Sequence, residues 1–262
     1  GRLAEEALER TFAAVEEYAA LIARHGIDRA DRVRFCATSA TRDAANAADF
    51  AAGVRARLGV APEVVTGDEE AALAWAGATR GLPGLAGPVV VLDIGGGSTE
   101  LVLGSGPTPD AAHSMDIGSV RMTERHLRSD PPTAPEVAAC VADVDAALDT
   151  CPVDPGAAVT MVGVAGTVTT LAAGVMGLTS YDRSATHGAR LPVAQVHALC
   201  DRLVGSTAAE RAEMAWLHPG RADVIAAGAL VLSRVLARSR VTELVVSEAD
   251  ILDGIAWSLL EG

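Results

Sequence analysis

The chain has 262 residues, half of them hydrophobic, and a formal net charge of −13. This length fits one large domain or two modest ones. The acidic balance argues against a general nucleic-acid surface, which would need a basic face. No apolar run approaches the roughly 20 residues of a membrane span, and no signal-peptide pattern is recognisable. The four cysteines form no C-x-x-C pair, which favours free thiols in a reducing cytoplasm.

Strands alternate with helices along the chain, which predicts the α/β class. A stretch rich in Gly and Pro, 81–88, predicts a linker, so we expect a first domain at 1–86 and a second at 87–262. The last helix is expected to pack back on the first domain. The segment 177–190 has no hydrophobic period and predicts an exposed loop. Predicted helices are 3–24, one ending at 58, 67–79, 120–127, 135–148, 165–176, 193–204, 208–214, 223–238 and 250–260. Predicted strands are 33–37, 64–65, 89–92, 101–103, 113–117, 158–164 and 241–246.

The second predicted domain opens with Val89–Gly104, VVVLDIGGGSTELVLG. Two apolar runs flank three glycines, which predicts strand, tight turn, strand. Glycine permits positive φ and close approach of a ligand, and successive N–H groups in such a turn can bind phosphate. Asp93 and Glu100 flank the turn with the hard oxygen ligands that Mg²⁺ prefers. We interpret the segment as a phosphate-and-metal loop whose phosphate-binding residues are Gly95, Gly96, Gly97, Ser98 and Thr99.

Two other interpretations of this stretch are less favourable. A dinucleotide fingerprint needs G-x-G-x-x-G at the start of a helix, and here the spacing differs and a β-branched run follows. A hairpin without a ligand usually needs only two turn residues, and three glycines between two carboxylates exceed that requirement.

Two further features are candidates for chemistry. Gly163–Thr167 is a second strand–glycine–helix junction, and a helix N-terminus offers free N–H groups to an anion. We therefore expect Gly166 and Thr167 to bind phosphate, although a tight turn alone would also explain the glycines. Glu69 and Glu70 lie in a first helical turn, where the dipole favours acidic residues; a carboxylate there could also deprotonate a water nucleophile.

Single arginines are weaker candidates. Arg42 could fork onto phosphate oxygens, and Arg121 and Arg221 are weaker versions of the same case. His218, before Pro219, is more typical of a turn residue than of a ligand.

Several motifs in this order resemble the exopolyphosphatase/guanosine pentaphosphate phosphohydrolase (Ppx/GppA) family, and above all its short actinobacterial members. The motifs span essentially the whole chain. They are ATSATRDAAN from Ala37 to Asn46, GDEEA from Gly67 to Ala71, DIGGGSTE from Asp93 to Glu100, GVAGT from Gly163 to Thr167, and SEADILDG from Ser247 to Gly254.

The resemblance implies an actin-like, RNase H-like two-domain fold with the active site in the interdomain cleft. It implies that Glu70 is the general base, a choice that spacing alone leaves open between Glu69 and Glu70. It also implies that Asp93 and Glu100 serve Mg²⁺, with Mn²⁺ as an alternative, and that Arg42 contacts the polyanion. The family usually begins with a strand, an Asp-x-Gly-(Ser/Thr)-Asn-Ser loop and another strand, which this sequence does not contain, so we expect a first domain truncated at its N-terminus.

Three functions follow as hypotheses. The first is Mg²⁺-dependent hydrolysis of the terminal phosphate of inorganic polyphosphate. Under this hypothesis the protein is expected in the cytoplasm, where it could form a homodimer. The second is hydrolysis of the 5′ γ-phosphate of guanosine pentaphosphate, a stringent-response nucleotide. Arginines along the site would favour the polyanion, and a base pocket would favour the nucleotide. The third is a non-catalytic phosphate- or nucleotide-binding module.

Overall fold

The computed structural model describes residues 2–27, 32–37 and 44–261, which form a mixed α/β structure. Its contacts divide the chain into two compact units, Gly1–Leu73 with Leu252–Gly262, and Ala74–Ile251. The boundary falls within a continuous helix, whereas the sequence predicts a division after residue 86. The middle of that helix carries no Pro and no linker-like run, so nothing in its sequence marks a boundary.

Most predicted elements are confirmed, with ends shifted by a few residues. The helices are α1 Glu5–Arg24, α2 Ala47–Leu58, α3 Gly67–Arg80, α4 Ser119–His126, α5 Ala134–Thr150, α6 Ala165–Val175, α7 Arg183–Thr186, α8 Val193–Gly205, α9 Ala208–Ala212, α10 Ile225–Arg238 and α11 Ile251–Glu261. The strands are β1 Cys36–Ala37, β2 Glu63–Val64, β3 Val89–Ile94, β4 Thr99–Gly104, β5 Ala111–Met115, β6 Thr160–Val164, β7 Arg190–Pro192 and β8 Glu243–Val246. Short 3₁₀ turns lie at Pro155–Ala157 and Pro219–Arg221. None of the described helices combines the length and apolar character that a membrane crossing requires.

The unit formed by Gly1–Leu73 and Leu252–Gly262 has a small core of its own. Val15 of α1 and Phe50 and Val54 of α2 are buried there, and the rings of Phe12 and Phe50 stack with centroids 6.4 Å apart. Strands β1 and β2 form a short parallel pair. The apolar face of α1 therefore packs on α2.

The unit formed by Ala74–Ile251 is built on a six-stranded sheet with the order β5-β4-β3-β6-β8-β7. Strands β3, β6 and β8 run parallel, and β4, β5 and β7 pair antiparallel with their neighbours. The parallel strands are near-continuous runs of buried residues, as expected for strands covered on both faces. Because they are parallel, their carboxyl ends meet at one edge of the sheet, followed there by Gly95, Ala165 and Ser247.

Helix α10 forms much of the core on one face of this sheet. Ten of its residues are buried, and nine of them share a cluster with Val90, Leu92 and Ile94 of β3. Because the helix is buried on most of its surface, its sequence is apolar along most of its length rather than amphipathic. The thiols of Cys140 and Cys200 are also buried, which raises their pKa to about 11 and about 12.

The prediction of an exposed loop at 177–190 is wrong in part. The segment contains the short helix α7, its Thr186 is fully buried, and β7 begins at Arg190. A single helical turn is too short to show a hydrophobic period, and its burial depends on residues far along the chain.

Candidate active site

Strands β3 and β4 form the predicted hairpin, with the glycines at its turn. The two strands pair from Val89 opposite Gly104 to Ile94 opposite Thr99, and the N–H of Gly95 donates to the carbonyl of Ser98 at 3.0 Å. The glycines with positive φ lie elsewhere in the described chain, at 26, 59, 84, 177 and 188. The glycines of this turn therefore do not use the positive φ that glycine permits, and a Cβ on Gly96 would lie 3.3 Å from Cγ2 of Val120.

The glycine turn packs against Gly118 and the first turn of helix α4. The N–H groups of Ser119 and Val120 donate to the carbonyls of Gly95 and Gly96, both at 2.9 Å, and Nε of Arg121 donates to the carbonyl of Gly97 at 2.7 Å. A Cβ on Gly118 would overlap the backbone of Gly96 and lie 2.6 Å from the carbonyl carbon of Gly97. The glycine turn therefore directs its carbonyls toward α4.

The N–H groups of the same turn are left for a ligand. Among the described residues, those of Gly96, Gly97 and Ser98 donate to no partner, and both glycines are exposed. Free, successive N–H groups of this kind form an anion-binding concavity. The structure is consistent with the predicted phosphate loop at these positions.

Thr99 differs from its neighbours in the turn. It is fully buried, and its hydroxyl donates to the carbonyl of Ile117. This hydrogen bond fixes the end of the turn to the segment before α4. Contact between Thr99 and phosphate stays a prediction.

The second junction joins β6 to α6. Ala165 has a φ of 61°, the one described non-glycine residue with positive φ, a conformation that costs roughly 1–2 kcal/mol for a residue with a Cβ. A Cβ on Gly166 would overlap the guanidinium of Arg221, and a Cβ on Gly228 would lie 2.7 Å from Cγ2 of Thr167. Both glycines therefore allow close approach at this junction.

The two junctions meet around one cavity of about 160 Å³. The cavity lies within the unit Ala74–Ile251, and the junction residues that line it are Gly95, Gly96, Ala165, Gly166 and Thr167. Arg221 also lines the cavity, and its Nη1 donates to the hydroxyl of Thr170 at 3.2 Å. The structure thus brings together four of the predicted phosphate-binding residues.

Arg221 is the residue that sequence reasoning undervalued. The only signal was its place in the turn His218–Arg221 before a long apolar helix. His218 itself is the turn residue that the sequence predicts, because its Nδ1 accepts from the N–H of Gly220 at 3.1 Å.

Asp93 and Glu100 lie directly opposite each other on β3 and β4, so their side chains share one face of the sheet. Both are partly buried, and Glu100 accepts from the hydroxyl of Ser114 on β5 at 2.6 Å. Two carboxylates on one face supply the hard oxygen ligands that Mg²⁺ prefers. No cluster of three or more His, Cys, Asp or Glu side chains suited to a metal occurs in the described parts of the chain.

Glu69 and Glu70 occupy different surroundings at the start of α3. Glu69 is 44% exposed, and its Oε1 lies 2.5 Å from Nη2 of Arg34. Glu70 is partly buried. Consecutive helical residues point in different directions, and Arg34 pairs with Glu69 and with Glu63. Arg42, predicted to bind phosphate, lies outside the described residues.

A larger cavity of about 530 Å³ adjoins the first one at Arg221, which lines both. Its other lining residues are mainly aromatic, apolar or hydroxylic. They are Thr169, Thr170, Tyr181, Ala215, Trp216, Leu217, His218 and Pro219.

A sheet whose parallel strands end in two glycine junctions is the arrangement of the actin-like fold, which is confirmed here. The Ppx/GppA phosphatase family matches residues 1–261, and the chain therefore belongs to this family, as the sequence motifs predict.

Individual relatives cover nearly the whole chain. Exopolyphosphatase 2 of Mycobacterium tuberculosis is 48% identical over 99% of this chain and 83% of its own length. The crystal structure of an exopolyphosphatase-like protein has a TM-score of 0.89 and 47% identity, covering 98% of this chain and 85% of that one. The PPX-GPPA enzyme of Aquifex aeolicus has a TM-score of 0.82 and 34% identity, covering 98% and 84%.

Proposed function

We propose that this protein is an exopolyphosphatase, which removes the terminal phosphate of inorganic polyphosphate by attack of water. The observation that carries the proposal is the meeting of the glycine turn, the Ala165–Thr167 junction and Arg221 around one cavity of about 160 Å³. Backbone N–H groups and a guanidinium are the donors that bind phosphate oxygens. The name exopolyphosphatase, borne by a relative with 48% identity, supports this choice of substrate.

In the proposed reaction the N–H groups of Gly96, Gly97 and Ser98 hold the oxygens of the terminal phosphate, and Arg221 holds those of the adjoining one. Glu70 accepts a proton from water as the water oxygen bonds to phosphorus and the bridging P–O bond breaks. The shortened polyphosphate leaves with the bridging oxygen. Donors fixed before the reaction stabilise the charge that develops on the phosphate without reorganising.

Asp93 and Glu100 are the proposed residues for Mg²⁺, with Mn²⁺ as the alternative. They fit the ion because two carboxylates on one face of a hairpin are a hard donor set, and Mg²⁺ usually binds one or two carboxylates while keeping several waters. When bound, the ion would neutralise charge on phosphate oxygens. The two carboxylates also flank the turn whose N–H groups are proposed to bind the same phosphate.

The experiment that tests the proposal compares Glu70→Gln with Glu69→Gln. Gln keeps the shape of Glu70 but accepts no proton, so kcat on polyphosphate should fall by about 10²–10⁴-fold, the usual contribution of a general base, with little change in KM. Glu69→Gln is the matched control because Glu69 pairs with Arg34; it should lose only the small contribution of an exposed ion pair. Equal losses of kcat in both variants would contradict the assignment of Glu70 as the general base. Phosphate release without Mg²⁺ would contradict the proposed role of Mg²⁺.

Hydrolysis of guanosine pentaphosphate is the second candidate, and one observation favours it. The 530 Å³ cavity beside Arg221 has the size of a small-molecule site, and its lining is chiefly apolar and aromatic rather than cationic. The ratio of kcat/KM for guanosine pentaphosphate to that for polyphosphate distinguishes the two candidates.

A further inference from the structure

The three peptides of the glycine turn are not held in the same way. The carbonyls of Gly95 and Gly96 accept from backbone N–H groups of α4, which almost any residue in that helix would supply. Among the described residues, the one donor to the carbonyl of Gly97 is a side chain, Nε of Arg121 at 2.7 Å. The orientation of the peptide between Gly97 and Ser98 therefore depends on the identity of a single residue.

This peptide has little else to keep it in place. In a planar trans peptide the carbonyl of Gly97 and the N–H of Ser98 point in opposite directions, and glycine permits backbone rotations that other residues resist. Gly97 is exposed. Apart from its chain neighbours, the one described heavy atom within 4 Å of a Cβ built on Gly97 is Nη2 of Arg121, at 3.6 Å. Without Arg121 the peptide could reverse and present its carbonyl oxygen, which repels an anion, in place of the N–H.

Arg121 is itself fixed on the side of the turn that faces α4. Its backbone N–H donates to the carbonyl of Gly96 at 3.0 Å, and its Nη2 lies 3.3 Å from Oδ1 of Asp116. Two of the three guanidinium nitrogens are thus engaged by the protein, and Arg121 does not line the 160 Å³ cavity. The geometry therefore favours an action on phosphate through the peptide over direct contact.

The charge of the guanidinium adds to this action. Hydrogen bonds from a charged donor are stronger than those between neutral groups, and hydrogen bonds in a chain polarise one another. A guanidinium that donates to the carbonyl of Gly97 should therefore make the N–H of Ser98 a better donor. That N–H would also be oriented before the substrate arrives, which is the condition under which fixed donors stabilise developing charge without reorganising.

We propose that Arg121 is a positioning residue, which acts through the carbonyl of Gly97 to orient and polarise the N–H of Ser98 toward the terminal phosphate. The proposal rests on the proposed function, because it assumes that the N–H groups of the turn bind that phosphate. It differs from direct contact between the guanidinium and phosphate in one measurable respect. The hydrogen bond from Arg121 to Gly97 is present before any phosphate binds.

The kinetic test compares two arginines of the same helix. Arg121→Ala should lower kcat/KM on polyphosphate by roughly 10- to 150-fold, the range for a hydrogen bond to a charged group. Alanine favours the helix and Arg121 is 44% exposed, so the variant should fold. Arg125→Ala is the matched control, because Arg125 is 40% exposed and pairs with Asp143 rather than with the turn. It should change kcat/KM by less than about fivefold.

An NMR measurement without phosphate tests the positioning itself. The sequence has four Gly–Ser pairs, at 97–98, 104–105, 118–119 and 205–206, so carbon-13 in glycine carbonyls and nitrogen-15 in serine give four coupled signals. Ser98→Ala identifies the Gly97–Ser98 signal by removing it. Arg121→Ala should move the Gly97 carbonyl carbon upfield, as loss of an accepted hydrogen bond does, and leave the signals of 104–105 and 205–206 in place. Arg125→Ala should leave the Gly97–Ser98 signal unchanged.

A Gly97 carbonyl signal that is the same in Arg121→Ala and in the wild-type protein would overturn the proposal, because any loss of activity would then come from direct contact with phosphate. Wild-type kcat/KM in Arg121→Ala, or equal losses in Arg121→Ala and Arg125→Ala, would overturn it as well. Failure of the proposed function has a different signature. In that case the wild-type protein releases no phosphate from polyphosphate, while the Gly97 signal, which needs no substrate, still reports whether Arg121 holds the peptide.

Discussion

Replacing Gly166 by Ala tests the contact between the second junction and Arg221 with one methyl group. The added Cβ would overlap the guanidinium, which is the far end of a flexible side chain and can move away. The unfolding free energy should therefore fall by only about 1 kcal/mol, near the value of the lost hydrogen bond to Thr170. Phosphate affinity should fall more, by roughly 10- to 150-fold, because hydrogen bonds to charged groups contribute about 1.5–3 kcal/mol.

The assay combines calorimetric titration with tripolyphosphate and thermal unfolding of the same variants. Gly205→Ala is the matched control, since no atom lies within 4 Å of its added Cβ. A double-mutant cycle with Arg221→Ala adds the decisive comparison, because Gly166→Ala should cost no further affinity once the guanidinium is absent. Wild-type affinity in Gly166→Ala, or additive losses in the double variant, would show that displacement of the Arg221 guanidinium does not cause the loss of phosphate affinity.

Three further predictions concern other parts of the molecule. Asp93→Asn should weaken Mg²⁺ binding and so lower the rate of phosphate release, and a higher Mg²⁺ concentration should partly restore that rate. A loss of rate that no Mg²⁺ concentration changes would contradict the metal assignment. Arg211→Met should lower the unfolding free energy by about 3 kcal/mol or more in urea titrations, because the buried guanidinium donates to three carbonyl groups, whereas the exposed Arg202→Met should change it by less than about 0.5 kcal/mol. Hydrogen bonds from Thr133 hold the pKa of Glu136 at about 2, below its ordinary 4.5. The contribution of Glu136 to folding stability is therefore present above pH 4.5 and is lost as the pH falls toward 2. The difference in unfolding midpoint between the wild-type protein and Glu136→Gln should shrink over that pH range, and a constant difference would contradict this prediction.

The hairpin at the glycine turn could be predicted from sequence because its signals are local. Two apolar runs around three glycines define β3 and β4, and the continuous apolar run of β3 matches the burial of five of its six residues. The position of Asp93 opposite Glu100 then follows from pairing about the turn.

The rest of the site depends on contacts between distant residues. Gly166 meets the glycine turn because β6 pairs with β3, and it meets Arg221 across 55 positions of sequence. Arg121 meets the carbonyl of Gly97 over 24 positions. A lone arginine looks like a surface residue until such pairings are known.

The hydrogen bonds between the glycine turn and the first turn of α4 have a consequence for protein engineering. The eight residues from Asp93 to Glu100 contain the glycines and both carboxylates, but the donors that orient their carbonyls come from Ser119 and Val120. Transplanted alone into another hairpin, this octapeptide would lose the donors that turn its N–H groups outward. The smallest portable module is therefore residues 93–121, with Gly118 retained.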